Sequence, residues 1–171
     1  MPEPYYITVD GEPIEPLGLF AVRPGVDSIA LDRKGEWLYY AAVTATKMYR
    51  IPTAVLDDPA LSADRVAAAV EVDADKTESD GITSDDAGTL YLSDPEHNAI
   101  VALRPDRSLE TLFVDPRLRW PDGFGFGPDG WLYVTCSALQ HVIMKGEDSI
   151  EANAPYHIFR FRPGATAAPG H

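Results

Sequence analysis

A single cysteine, Cys136, stands in this chain of 171 residues, which excludes any intrachain disulfide. It lies in the apolar run Leu132-Tyr133-Val134-Thr135-Cys136, where a thiol is expected to be buried and inert. Positive charge is also scarce: 14 Lys and Arg face 27 Asp and Glu, a formal net charge of −13. Nucleic acids and anionic membrane surfaces are bound through Lys and Arg, so neither is an expected partner. A cationic ligand, a cationic protein or a divalent metal suits this balance, and so does plain solubility. No run of 18 apolar residues occurs, so no helical membrane span is expected. The opening MPEPYYITVDGEPIEP is acidic, with no cationic stretch ahead of an apolar core, and does not read as a secretory signal. Gly123, Gly125, Gly127 and Gly130 are dense, but no helical pattern follows them, which removes the dinucleotide reading. No Gly-x-Ser-x-Gly elbow is present either.

What the chain does have is an internal repeat. Three segments align on a leading acid: Asp27-Ser28-Ile29, Asp80-Gly81-Ile82 and Asp122-Gly123-Phe124. In each a Gly follows eight positions later, at Gly35, Gly88 and Gly130, and a Leu-Tyr pair comes next. The first copy carries one inserted residue near Glu36, and the leading acids are 53 and 42 positions apart. Physically, a short strand enters, an Asp/Gly turn reverses the chain, and the Leu-Tyr strand leaves. Further strands are expected at Lys47–Pro52, Ala99–Arg104, Glu110–Val114 and His157–Pro163. That gives about four strands per period of about 40 to 50 residues, the signature of a propeller blade. Leu61–Val70 is the one helix-like stretch, with a turn of helix possible at Thr53–Leu56. The Pro/Gly-rich segment 164–171 is expected to be a disordered tail behind a partial propeller of residues 1–163.

The fold expected is therefore all-β, of the six-bladed β-propeller type, with about three blades, or half a propeller, in this chain. Three blades cannot close a ring, because propellers need at least about four. Ring closure is expected from a missing propeller half, the chain being a fragment, or from a second copy.

The run Leu118-Arg119-Trp120-Pro121-Asp122-Gly123, with Pro128-Asp129-Gly130-Trp131-Leu132-Tyr133, resembles the C-terminal half of the Yellow and major royal jelly proteins. So do Ser79-Asp80-Gly81-Ile82, His97-Asn98-Ala99-Ile100 and Ser137-Ala138-Leu139-Gln140. The likeness covers about residues 20 to 163. It implies a six-bladed propeller lacking its first two to three blades, a small ligand in its channel, and a secreted setting. The absence of that family's disulfide cysteines suggests a bacterial relative. A more distant resemblance is to the gluconolactonase and senescence-marker-protein propellers, which bind a divalent metal such as Ca²⁺ through a Glu, an Asn and an Asp. Pro121-Asp122-Gly123 matches the Asp motif, which implies Asp122 as a metal ligand. That family's Asn-Gly position falls near Asp27-Ser28, which differs at both residues, and its Glu belongs to upstream sequence not found here.

Candidate ligand-binding residues follow from the repeat. Asp27, Asp80 and Asp122 occupy one position in successive blades, so they are expected to point to one end of the channel. Converging carboxylates bind a cation, share protons or cap their own turns. Trp120 joins them as a channel-lining aromatic able to stack on a cationic amine, or as packing between blades. His141 is the candidate catalytic base at the channel mouth. His97 reads as solvated in a polar turn, and His171 lies in the tail. The readings left open are a ligand-binding Yellow-like propeller, a metal-dependent lactone hydrolase, and a non-catalytic interaction propeller.

Overall fold

The computed structural model describes residues 7–9, 11–14 and 24–168. Among these the chain is all-β, built from four antiparallel sheets with three short helices. A two-residue-stranded hairpin, β1 (Thr8–Val9) and β2 (Glu12–Pro13), comes first. Sheet I then runs in order from β3 (Val26–Leu31) through β4 (Trp37–Ala42) and β5 (Lys47–Pro52) to β6 (Glu71–Asp75). Sheet II repeats the meander with β7 (Ile82–Ser84), β8 (Leu90–Asp94), β9 (Ala99–Leu103) and β10 (Leu109–Val114). Sheet III has three strands among the described residues: β11 (Pro121–Phe126), β12 (Leu132–Cys136) and β13 (Ile158–Phe161). Helices α1 (Thr53–Leu56) and α2 (Ala63–Ala68) join β5 to β6, and α3 (Glu147–Ala152) lies between β12 and β13. No helix among the described residues is long and apolar enough to cross a membrane.

Burial explains the strand sequences. Sheet II lies between the other two, so β8 and β9 are buried on both faces and β9 reads as the unbroken run Ala-Ile-Val-Ala-Leu. Between sheets I and II sit Ala30, Tyr39, Ala41, Met48, Ile82 and Leu92. Between sheets II and III, Ile100, Leu118, Val134 and Cys136 are packed by Phe113, Phe124 and Phe161. The three innermost strands, β3, β7 and β11, are neighbours in that order.

The turns use an acid five places after the leading one. Asp32 accepts from Trp37 N–H (2.9 Å), while Asp85 accepts from Ala87 N–H, Thr89 N–H and the Tyr91 hydroxyl (2.9, 2.8 and 2.8 Å). In the third copy Gly127 stands there instead, and its N–H bonds Trp131 O at 2.8 Å across a 3-10 turn, Pro128–Gly130.

The segment expected to be disordered from residue 164 is ordered as far as Ala168. It runs antiparallel along the free edge of β7, with Asp86 N–H to Thr166 O (2.9 Å), Ala168 N–H to Ser84 O (3.2 Å) and Thr166 Oγ1 to Asp86 (2.6 Å). Small residues alone do not disorder a chain when an unpaired strand edge is at hand to bond it. Residues 169–171, with His171, lie outside the described residues.

Candidate functional site

The leading acids stand where the innermost strands begin, and each start is irregular. The β3–β4 register shifts between Val26 and Ser28, around Asp27. The β11–β12 register shifts between Pro121 and Phe124, around Asp122. Before β7, Gly81 N–H bonds the Ser93 hydroxyl (2.6 Å) in place of a ladder partner. Bulges of this kind re-aim a side chain out of the sheet's alternation. A hydroxyl on the second strand braces the displaced backbone: Ser93 Oγ to Gly81 O (3.4 Å) and Thr135 Oγ1 to Gly123 O (3.3 Å).

A glycine brings the acids together. A Cβ on Gly81 would stand 1.8 Å from Asp122 O, so the backbones of sheets II and III touch at this point. Asp80 then lies within the field of both Asp122 and Asp27. Burial raises the Asp80 carboxyl to about 6; the bond from Trp120 opposes the shift, and the Asp122 and Asp27 charges add to it. Burial also raises Asp122, against a hydrogen bond from Ser137 and with the charge of Asp27.

Trp120 is the brace of the site. Its Nε1 donates to Asp80 Oδ2 at 2.6 Å, from sheet III's entry to sheet II's acid. The residue is 1% exposed and packed in a cluster with Ile7 and Val43, so its faces are covered by protein. It sits at φ 53, a left-handed conformation that costs a bulky side chain on the order of 1–2 kcal/mol. Its carbonyl accepts from Ser137 N–H (3.1 Å), and Arg119 O accepts from Ala138 N–H (3.0 Å), which hold that backbone in place.

His141 is on a 3-10 turn, Leu139–His141, and is not joined to the acids. Burial and then the charges of Arg119 and Lys145 lower its pKa. His97 is paired to Asp94 (3.0 Å), and the Cys136 thiol is pushed up to about 11 by burial, as an inert core thiol should be. Among the described residues no group of three or more His, Cys, Asp or Glu is arranged to hold a metal ion. Asp27, Asp80 and Asp122 therefore do not form a ready divalent-metal site, one oxygen of Asp80 being committed to Trp120.

Two features of the site are not signalled by the repeat pattern. Glu78, beside the acids in sequence, is raised to about 7 by burial, although Thr8 N–H bonds it (3.3 Å). The bracing hydroxyls Ser93 and Thr135 both stand 13 positions after a leading acid, a periodicity visible once the alignment runs past the Leu-Tyr pair.

A family model described as major royal jelly protein matches residues 16–156. No curated protein matches the chain. Among solved structures, the calcium-binding protein regucalcin from Agrobacterium tumefaciens is similar, with 24% identity and a TM-score of 0.58 over 88% of this chain and 49% of that one. A luciferin-regenerating enzyme is similar at 16% identity, TM-score 0.56, over 86% and 48%. A gluconolactonase from Xanthomonas campestris matches at 15% identity and TM-score 0.48, over 67% and 36%. The chain thus spans about half the length of the first two.

Proposed function

This chain belongs to the major royal jelly protein family, and from that premise we propose that it is half of a six-bladed β-propeller binding a small organic cation where Asp27, Asp80 and Asp122 converge. The observation that carries the reading is a run of three carboxyls from three successive sheets, Asp80 buried, Asp122 half-buried and Asp27 open to solvent, with burial and the neighbouring charges raising the first two. Its acids do not cap their own turns; Asp32 and Asp85 do that work. An ammonium group offers several N–H donors to separate carboxylates without demanding the compact cage of a metal ion. It would displace the proton that burial favours on Asp80 and relieve the repulsion among the three acids.

The test is calorimetric titration of the chain with phenethylamine, in buffers of different ionisation enthalpy, at about pH 5 and about pH 7.5. Tighter binding at the higher pH is expected, with proton release near pH 6, and Asp122→Ala should weaken it about tenfold or more. Amine binding that Asp122→Ala leaves unchanged would sink the reading. A metal-assisted lactone hydrolase is the second reading, favoured by Pro121-Asp122-Gly123. Tight Ca²⁺ binding abolished by Asp122→Ala, with no amine binding, would put it first.

A further inference from the structure

The same repeat position is buried in one sheet and bare in another, and the difference is which sheets have neighbours. Ile29 and Ile82 each stand two places after a leading acid. Ile82 is 8% exposed against sheet I, whereas Ile29 is 57% exposed, because among the described residues no sheet precedes sheet I on that side. In the second strand Leu92 and Val134 are fully buried at the position where Tyr40 is only half-buried. A row of apolar partners, Ile29–Tyr40–Tyr49–Val72, crosses all four strands of this open face. Its end, Val72, is 63% exposed, and Tyr40 and Tyr49 stack at 5.8 Å.

The opposite end of the array is bare on its other face. Tyr91 is buried under sheet III, while its equivalent Tyr133 is half-buried, with no described sheet beyond it. Gly81 lies flat on the Asp122 backbone of the next sheet; its equivalent Gly123 has no such neighbour, and nothing stands within 4 Å of a Cβ on Gly125. So, among the described residues, no sheet packs on the outer face of sheet I or on the outer face of sheet III, the β1–β2 hairpin sitting instead with Val43 and Trp120.

We infer that these two faces are the two halves of one joint, and that a second copy of this chain closes the ring through them, sheet III of each copy on sheet I of the other. Each joint sets two unlike faces together, and the half-turn relating two copies forms that joint twice and so closes the ring. Three sheets per copy then make the six-bladed ring. Gly123 of one copy would lie on the start of β3 in its partner, as Gly81 lies on Asp122 within the chain. An apolar row of this extent on a free monomer would be a liability for aggregation. The joint does not depend on the ligand proposed above.

Light scattering on size-separated protein tests it. The expected mass is twice 18.7 kDa. Ile29→Arg and Gly125→Arg each alter one open face at a position with room for the new side chain, so both should fold and run at 18.7 kDa. Mixing the two variants should restore a dimer, because one intact joint remains between the unaltered sheet III of one and the unaltered sheet I of the other. A wild-type monomer at every loading, a dimer indifferent to either substitution, or a ladder of masses beyond two would each overturn the ring.

Discussion

Asp80 favours its proton in the folded chain, and that has a sign for stability. Its folded pKa, about 6, lies above the ordinary 3.8. Its contribution is therefore fully present below 3.8 and is lost as pH rises through about 6. Exposed acids such as Asp115, held down at about 2 by Arg117, act in the opposite sense and lose their contribution in acid. Asp80→Asn keeps an acceptor for Trp120 Nε1 while removing the buried charge. It should be about 1 kcal/mol more stable than wild type near pH 7.5, after allowance for solvent screening, and no more stable near pH 3.5. Urea midpoints across that range check it. Trp120→Phe should do the reverse at neutral pH: it strips the indole donor from Asp80, moves its pKa higher still and costs about 1–3 kcal/mol. NMR titration of the Asp80 carboxyl and urea unfolding read both effects. That Asp27, Asp80 and Asp122 stand at equivalent places, where the innermost strands begin, was legible because a repeat places equivalent residues equivalently. The Trp120–Asp80 bond was not, because it crosses between sheets 40 positions apart and depends on a left-handed backbone that sequence does not signal for tryptophan.

Strands with a two-residue period announce themselves, and β5 falls on Lys47–Pro52 as the pattern requires. Short elements held by tertiary contacts do not. Helix α3, with the acidic sequence Glu-Asp-Ser-Ile-Glu-Ala, has no apolar stripe to betray it, and the segment 164–168 has only small residues. Its order comes from the edge of β7, so deleting residues from 164 onward should free Asp86 and abolish the slow hydrogen exchange of its amide, at a cost of about 1 kcal/mol per lost bond. Unchanged exchange at Asp86 would contradict that pairing. The contact between sheets II and III is more demanding. Gly81→Ala would force a methyl to 1.8 Å from Asp122 O, and backbone cannot yield as a side chain can. A loss of about 3 kcal/mol or more is expected, together with loss of cation binding, because the two acids are pushed apart. Gly25→Ala, with open space around its Cβ, is the matched control and should be nearly neutral in thermal melts.

Counting repeats along the amino-acid sequence shows three units, fewer than a closed ring holds. Which surfaces the missing neighbours would cover cannot be read from the residues alone, since Ile29 and Ile82 are the same amino acid at the same position and differ only in what lies against them. A composition rule assigns both to a core. Only the order of the sheets separates the covered face from the bare one. If two copies complete each other, folding stability is linked to association, and the midpoint of thermal unfolding must depend on protein concentration. Each tenfold rise in concentration adds about 1.4 kcal/mol to the dimer, which, spread over the unfolding of two chains of this length, moves the midpoint by roughly 2 °C. Ile29→Arg should flatten that dependence while leaving the melt cooperative, because the substitution touches the joint and not the packing between sheets I and II. A wild-type midpoint that stays fixed across a hundredfold range, about 2.7 kcal/mol of linkage, would mean that each half-ring is stable with its open faces in water.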